Sequence, residues 1–160
     1  MDDRIVFLDV DGVLNTPDSK SRCGGCIGID NDKLKLLKEI VDVTKAVIVL
    51  VSTWKEYWEP LPQRKYLQDE FADYLDKKFK DAGLKVTDKT LNGWDGDWYS
   101  RGEGILDYIQ IHKPKSFVIL DDIQYDYDGC GLTDNLIKTN ANVGLTSEQV
   151  QQAIEILNRR

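Results

Sequence analysis

Histidine, cysteine and long apolar runs are scarce in this 160-residue chain. Apolar runs such as residues 46–51 fall far short of the roughly 20 residues that a membrane-spanning helix requires, so we expect no such helix. The one histidine, His112, excludes catalytic arrangements that need two. Three cysteines leave at least one unpaired, so a disulfide framework is not expected. These counts suit a reducing compartment, and the sequence start does not resemble a secretory signal; we therefore expect a cytoplasmic protein.

Basic residues are also few. The chain has 21 Lys and Arg against 28 Asp and Glu, a net charge of −7. Such a surface repels nucleic acid and anionic lipid at long range, although a local basic patch could override the mean. The hydrophobic content of 41% is enough for a sizeable core, and the length predicts a single domain over residues 1–160.

Five apolar runs are typical of buried strands. Three of them are continuous and rich in β-branched residues, as expected for strands of a parallel sheet that is covered on both faces. The other two are weaker. The strong runs are residues 5–8, 46–51 and 117–120, and the weak runs are residues 84–87 and 136–139.

Amphipathic stretches separate these runs. Apolar residues recur at helical spacing within residues 34–41, 105–109 and 150–157. Residues 57–82 are also predicted to form one helix, with a proline-containing lead-in. Because buried strands alternate with amphipathic helices, the sequence predicts an α/β fold, a doubly wound parallel sheet with helices on both faces.

Acidic and hydroxyl residues follow the three strong strands. Asp9 and Asp11 follow the first, Ser52 follows the second, and Asp121 and Asp122 follow the third. Carboxyl ends of parallel strands meet at one edge of a sheet, and the two-residue spacing of Asp9 and Asp11 lets both point to the same side. Clustered carboxylates stay ionised together only when a cation neutralises them. The pattern therefore predicts an oxygen-rich site that binds Mg²⁺.

Five segments of the chain, in order, resemble a known family. The match to haloacid dehalogenase-like (HAD) phosphatases, and more narrowly to the small HAD-like domains of "Swiss Army Knife" RNA-repair proteins, extends from about residue 4 to about residue 158. It implies a Rossmann-like core with a minimal cap or none. The segments are FLDVDGVLN (7–15), VLVSTW (49–54), RGEGILDYI (101–109), FVILDD (117–122) and KTNANVGLT (138–146).

The resemblance implies a Mg²⁺-dependent phosphomonoester hydrolase and a role for each motif residue. Asp9 would be the nucleophile that forms an aspartyl-phosphate, and Asp11 the general acid and then the general base. Ser52 would hydrogen-bond a phosphoryl oxygen, and Arg101 would offset the phosphoryl charge. The implied metal ligands are Asp9, Asp11 through its backbone carbonyl, Asp121 and Asp122, with Asp122 as the main one.

Further residues are predicted to contact the substrate. Gly12 supplies a turn that lets the backbone approach a ligand. Thr53 is an alternative to Ser52, since alternation lets only one of them face the site, and Trp54 either stacks on the substrate or packs in the core. The same two readings apply to Trp94 and Trp98.

The segment at residues 15–30 is too short to fold as a cap domain, so we expect an open site. Lys20 and Arg22 in this segment are candidate contacts for a phosphate-rich substrate. Cys23 and Cys26 suggest zinc, which usually needs four ligands, and only Cys130 and His112 remain as further ligands. His112 lies at the end of a predicted amphipathic helix, distant in pattern from the cysteine loop. We therefore interpret residues 23–26 as a glycine-rich loop in a reducing cell.

Two alternative functions stay open. The RNA-repair resemblance favours a phosphatase that processes nucleic-acid ends, whereas the net charge of −7 disfavours nucleic acid as a partner. The third hypothesis is a regulatory module that recognises phosphate without turnover. The expected partner in each case is a phosphorylated compound whose identity the sequence does not reveal.

Overall fold

A computed structural model describes residues 3–60, 69–91 and 100–159. Within these ranges, four α-helices surround a five-stranded sheet, and a two-stranded hairpin follows the first strand. In chain order the elements are β1 (Arg4–Leu8), β2 (Arg22–Cys23), β3 (Cys26–Ile27), α1 (Asn31–Thr44), β4 (Val47–Leu50), a 3₁₀ turn (Thr53–Glu56), α2 (Glu70–Asp81), β5 (Val86–Lys89), α3 (Arg101–His112), β6 (Ser116–Asp121), a 3₁₀ turn (Thr133–Asn135), β7 (Leu136–Lys138) and α4 (Ser147–Leu157).

The main sheet is parallel throughout, with the strand order β5-β4-β1-β6-β7. In the register of the three central strands, Leu8 lies opposite both Leu50 and Leu120. The carboxyl ends of β1, β4 and β6 are therefore level with one another. This alignment brings the residues that follow them to a common edge.

Side chains of the central strand alternate between two hydrophobic cores. Val6 and Leu8 pack on one face of the sheet with α1, α2 and α4, whereas Ile5 and Phe7 pack on the other face with Ile105 of α3. All four strand residues are at most 2% exposed. Helices therefore cover both faces, which confirms the predicted doubly wound α/β fold.

The helix predicted over residues 57–82 is wrong in extent. The structure begins α2 at Glu70, residues 57–60 are not helical, and residues 61–68 lie outside the described ranges. Pro60 lacks a backbone N–H and disfavours helix in the residue before it. The Asp69 side chain accepts hydrogen bonds from the backbone N–H groups of Phe71 and Ala72, so the helix has its own N-terminal cap.

Residues 23–26, which we interpreted as a glycine-rich loop, form the tip of the β2–β3 hairpin. Cys23 and Cys26 are cross-strand partners, and Gly24 adopts a φ of +58°, which suits glycine in so tight a turn. All three cysteines are free. Between β1 and α1, the hairpin is the one regular element of the described chain.

None of the described helices is both long and apolar enough to span a membrane.

Candidate active site

Three carboxylates meet at the carboxyl end of the central strands. The backbone N–H of Asp9 donates to the carbonyl of Leu120 across 2.9 Å, so pairing of β1 with β6 continues past the last residue of β1. One carboxylate oxygen from each of Asp9, Asp121 and Asp122 lies within 4.8 Å of the others. Asp9 is 4% exposed and Asp121 is fully buried. The Asp11 side chain does not belong to this acidic cluster.

A buried cation contacts two members of the acidic cluster. Arg101 is the first residue of α3 and is 3% exposed. Its Nη1 donates to Oδ2 of Asp121 at 2.8 Å and lies 3.3 Å from Oδ1 of Asp9. Burial lowers the pKa of Arg101, but Asp9 and Asp121, together with Tyr125 and Tyr127, raise it above its usual value, so the guanidinium stays charged. Arg101 thus offsets part of the negative charge of the acidic cluster.

The loop after β6 holds Arg101 in place. Asp126 accepts hydrogen bonds from the backbone N–H groups of Gly102 at 2.7 Å and Glu103 at 3.3 Å, and thereby caps the start of α3. The Tyr125 ring lies under the guanidinium, with Cζ of Arg101 4.2 Å from the ring centroid. The loop that carries the acidic residues therefore also fixes the cation.

Asp121 and Asp122 differ in their surroundings. Both oxygens of Asp121 accept hydrogen bonds within the protein: Oδ2 from Arg101 and from the Tyr127 hydroxyl at 2.8 Å, and Oδ1 from the Ile123 N–H at 3.2 Å. Asp122 is only half-buried. Both oxygens of Asp121 are thus hydrogen-bonded within the protein, and Asp122 is the more exposed of the two carboxylates.

Gly12 makes room for the Asp122 side chain. It has a φ of +81°, and a Cβ at this position would lie 2.6 Å from Cγ of Asp122. Its backbone polar groups are both engaged, since the N–H donates to Oδ1 of Asn15 at 3.0 Å and the carbonyl accepts from the Thr139 hydroxyl at 2.7 Å. Glycine is therefore required here by both conformation and space.

Burial and mutual repulsion disfavour the charged forms of Asp9 and Asp122 in the acidic cluster. Burial and the charge of Asp121 raise the pKa of Asp9 well above its usual range, although Arg101 opposes the shift. Burial and Asp121 also raise the pKa of Asp122. Three carboxylates against one contacting guanidinium leave an excess of negative charge that a bound cation would relieve.

Asp11 is positioned by a turn, whereas Asp9 directly follows β1. The prediction that Asp9 and Asp11 point to the same side assumed an extended strand through both residues. Residues 11–14 form a turn instead, so the alternation ends before Asp11. Oδ1 of Asp11 accepts from Nδ2 of Asn15 at 2.9 Å, and Oδ2 accepts from Nε1 of Trp54 at 3.3 Å. Two donors thus orient the Asp11 carboxylate.

The end of β4 supplies the hydroxyl and the indole. Ser52 is fully buried, and its Oγ accepts from the backbone N–H of Trp54 at 3.2 Å, whereas Thr53 is exposed. Trp54 is 7% exposed and packs edge-on against Phe71 with a centroid distance of 5.5 Å. Of the two readings of Trp54, the structure favours packing, and adds the hydrogen bond to Asp11.

A second buried cation was missed in the sequence. Lys55 is 4% exposed, and its Nζ donates to the Thr90 hydroxyl at 3.1 Å. Burial, followed by the positive charge of Arg101, lowers the pKa of Lys55 to about 8. The signal in the sequence was a lysine three residues after Ser52, directly beyond a strand end.

The remaining predicted contacts lie apart from the acidic cluster or outside the described ranges. Lys20 is exposed, and Nη1 of Arg22 donates to the carbonyls of Ser19 and Ser21 at 2.6 and 2.9 Å, within its own loop. His112 stacks on Tyr108 with a centroid distance of 3.9 Å, at the end of α3. Trp94 and Trp98 lie outside the described residues.

The parallel sheet, the acidic residues at its carboxyl edge and the arginine at the start of α3 define a HAD-like domain. Over residues 5–150 the chain matches the family described as the HAD domain in Swiss Army Knife RNA repair proteins, and it belongs to that family. This confirms the resemblance drawn from the five segments, and membership supports a hydrolase-type enzyme. No curated protein and no solved structure matches the chain.

Proposed function

We propose that the protein is a Mg²⁺-dependent phosphomonoester hydrolase that acts through an aspartyl-phosphate on Asp9. The observation that carries this proposal is the acidic cluster, in which a buried carboxylate at a strand end lies next to a second, more open carboxylate and a buried arginine. A nucleophile, a charge-neutralising group and room for a cation are the parts that phosphoryl transfer requires.

The donor set suits Mg²⁺. Magnesium prefers oxygen ligands and uses few carboxylates together with substrate phosphate. Asp9 and Asp122 would provide the carboxylate oxygens and Asp11 its backbone carbonyl, while Asp121 completes the negative charge and holds Arg101. Mg²⁺, when bound, would supply positive charge that partly neutralises the carboxylates and the phosphoryl oxygens.

The reaction would proceed in two displacements. In the first, a carboxylate oxygen of Asp9 attacks phosphorus, the bond from phosphorus to the substrate oxygen breaks, and Asp11 gives its proton to the departing alkoxide. In the second, Asp11 takes a proton from water, the water oxygen attacks the same phosphorus, and the bond to Asp9 breaks. Inorganic phosphate and the alcohol are the products, and both aspartates return to their initial state.

Other residues would hold the phosphoryl group during these steps. Ser52 uses its oxygen as an acceptor for the Trp54 N–H, which leaves the hydroxyl proton available to a phosphoryl oxygen. Arg101 is fixed between Asp9 and Asp121, where its charge offsets the charge that develops as the leaving group departs. Asn15 and Trp54 keep Asp11 oriented.

A panel of phosphomonoesters tests this proposal. Release of inorganic phosphate would be measured with 4-nitrophenyl phosphate, sugar phosphates and mononucleotides, with Mg²⁺ and with a chelator. We expect turnover that requires the metal. Absence of turnover across the panel in Mg²⁺, together with tight binding of phosphate ligands, would instead support the regulatory module.

A second candidate function is supported by the family description, which names RNA repair proteins. On this hypothesis the same chemistry removes terminal phosphates from nucleic acid, although the net charge of −7 opposes binding of a polyanion. Oligonucleotides with 3′- or 5′-terminal phosphates would be compared with the matching mononucleotides. A higher kcat/KM for the oligonucleotides would favour end processing, and equal or lower values would exclude it.

A further inference from the structure

A pocket opens beside Asp11 and is lined in part by the β2–β3 hairpin. Its volume is about 510 Å³, within the range of pockets that hold small organic ligands. The β2–β3 hairpin, the segment from the 3₁₀ turn after β4 to Tyr57, and the start of α2 contribute its lining. The side chains that line it are those of Asp11, Cys26, Ile27, Thr53, Trp54, Tyr57 and Phe71.

The pocket lies next to Asp11, the residue to which the proposed function assigns protonation of the leaving alkoxide. In the proposed function, Asp11 transfers a proton to the substrate oxygen, so the alcohol part of the substrate must lie next to Asp11. Both Asp11 oxygens are held by Asn15 and Trp54, which fixes the carboxylate at the pocket wall. Because Asp11 lines the pocket, the pocket is placed to receive that alcohol.

The chemistry of the lining favours an uncharged and planar occupant. Among the described residues that line the pocket, Asp11 is the one charged side chain, and none is a lysine or arginine. A second phosphate would find no cation among these described residues. Lys20 and Arg22, the basic residues of the same loop, do not line the pocket.

Tyr57 offers an aromatic surface inside this pocket. One face of its ring stacks on Phe71, with centroids 5.1 Å apart and planes 29° from parallel. Nevertheless Tyr57 is 53% exposed. Burial and further stacking of a large aromatic side chain are favourable. The exposed ring is therefore suited to contact another ring.

We propose that this pocket selects phosphomonoesters whose alcohol carries an uncharged aromatic ring, and that Tyr57 stacks on that ring. The inference rests on the proposed function for the placement of the phosphate. It names the substrate class that the site prefers, and makes Tyr57 a specificity residue rather than a catalytic one.

A binding experiment tests the pocket without requiring turnover. Cys26 lines the pocket and is exposed, so its alkylation by iodoacetamide reports occupancy and can be followed by peptide mass spectrometry. In Mg²⁺, we expect 2-phenylethylphosphonate to protect Cys26 at about tenfold lower concentration than ethylphosphonate. Uridine 5′-monophosphate, added to a parallel sample, shows whether a nucleobase is accepted as the ring. Equal protection by the phenyl and ethyl compounds would overturn the proposal.

A turnover experiment tests the role of Tyr57. We expect kcat/KM for 2-phenylethyl phosphate to exceed that for ethyl phosphate about tenfold, and the ratio to approach one in Tyr57→Ala while Tyr57→Phe keeps it. Val43→Ala, which changes an exposed apolar side chain on α1, is the matched control and should keep the wild-type ratio. An unchanged ratio in Tyr57→Ala would overturn the proposal.

The two experiments separate this inference from the proposed function. Selective protection of Cys26 without turnover of any ester would support the ring pocket and contradict the hydrolase. Turnover of both esters at equal kcat/KM, with equal protection, would support the hydrolase and contradict the ring pocket.

Discussion

The indole N–H of Trp54 donates to Oδ2 of Asp11 across 3.3 Å, and so links the residues that follow two neighbouring strands. Nδ2 of Asn15 holds the other oxygen of the same carboxylate. Two donors thus set the direction of the group to which we assign proton transfer. Trp54 therefore orients the Asp11 carboxylate in addition to packing in the core.

Loss of the Trp54 hydrogen bond should reduce turnover without unfolding the protein. Trp54→Phe keeps a ring against Phe71 but removes the donor to Asp11. We expect kcat to fall roughly 10- to 100-fold with alkyl phosphates, since a misplaced acid transfers its proton poorly. The decrease should be smaller with 4-nitrophenyl phosphate, whose leaving group needs little protonation.

The matched control for this change is Trp58→Phe. Nε1 of Trp58 donates to Oδ1 of Asp76 at 2.9 Å, so the substitution removes a similar indole bond to a carboxylate of α2. It should leave kcat close to the wild-type value. An equal loss in both variants would show that general destabilisation, and not the orientation of Asp11, explains the effect.

Asp121 and Asp122 should respond differently to substitution by asparagine. Because Asp122 is the more open carboxylate, Asp122→Asn should weaken Mg²⁺ affinity by at least about tenfold in isothermal titration. Asp121→Asn should change Mg²⁺ affinity less, but should lower the free energy of unfolding by about 3 kcal/mol, because Arg101 loses a buried partner. If Asp121→Asn abolished Mg²⁺ binding while Asp122→Asn kept it, our assignment of the two roles would be reversed.

Stability of the metal-free protein should fall as the pH rises above about 4, the usual pKa of an aspartate. The raised pKa of Asp9 means that the folded state binds a proton at pH values where the unfolded state has released it. The free energy of unfolding therefore decreases from about pH 4 up to the raised pKa. Thermal unfolding in a chelator should reveal this slope, and added Mg²⁺ should restore stability at neutral pH.

Asp9→Asn cannot ionise and should flatten this pH dependence. The matched control is Asp18→Asn, which changes an exposed aspartate of the same loop region. It should keep the wild-type slope. A slope in Asp9→Asn as steep as that of the wild type would assign the pH dependence to another group.

Lys55 should destabilise the protein at neutral pH. Its pKa of about 8 lies below the usual lysine value, so between these two values the unfolded state binds more protons and stability rises with pH. Below pH 8 the full cost of the buried charge is present. We expect Lys55→Met to raise the free energy of unfolding by up to about 3 kcal/mol at pH 7, with a gain that shrinks above pH 8.

Chemical denaturation at pH 7 and at higher pH would measure this gain. Lys35→Met, which replaces an exposed lysine on α1, should show no such pH-dependent difference from the wild type. A loss of stability in Lys55→Met at pH 7 would mean that contacts of the ammonium outweigh the cost of its burial.

The fold and the acidic cluster were predictable because they depend on local patterns. The three strong runs form β1, β4 and β6, since continuous β-branched residues suit strands buried on both faces. In parallel strands of matched register, residues next after the strands must meet. Asp9, Asp121 and Asp122 therefore came together as expected.

Other features of the site depend on contacts that no local pattern encodes. The hydrogen bond from Trp54 to Asp11 spans 43 residues and that from Lys55 to Thr90 spans 35. The turn at residues 11–14 interrupts the strand alternation, so the direction of Asp11 could not follow from spacing. The cap that Asp126 provides to α3 likewise arises only once the loop after β6 folds back.

The central claim is that Asp9 carries the phosphoryl group during turnover, and chemical trapping tests it most directly. The enzyme would be quenched during turnover of 4-nitrophenyl phosphate in Mg²⁺ and treated with borohydride, which reduces an acyl phosphate to an alcohol. We predict that peptide mass spectrometry finds homoserine at position 9, and that Asp9→Asn shows neither this product nor more than about a thousandth of wild-type turnover. Wild-type turnover by Asp9→Asn would contradict the account.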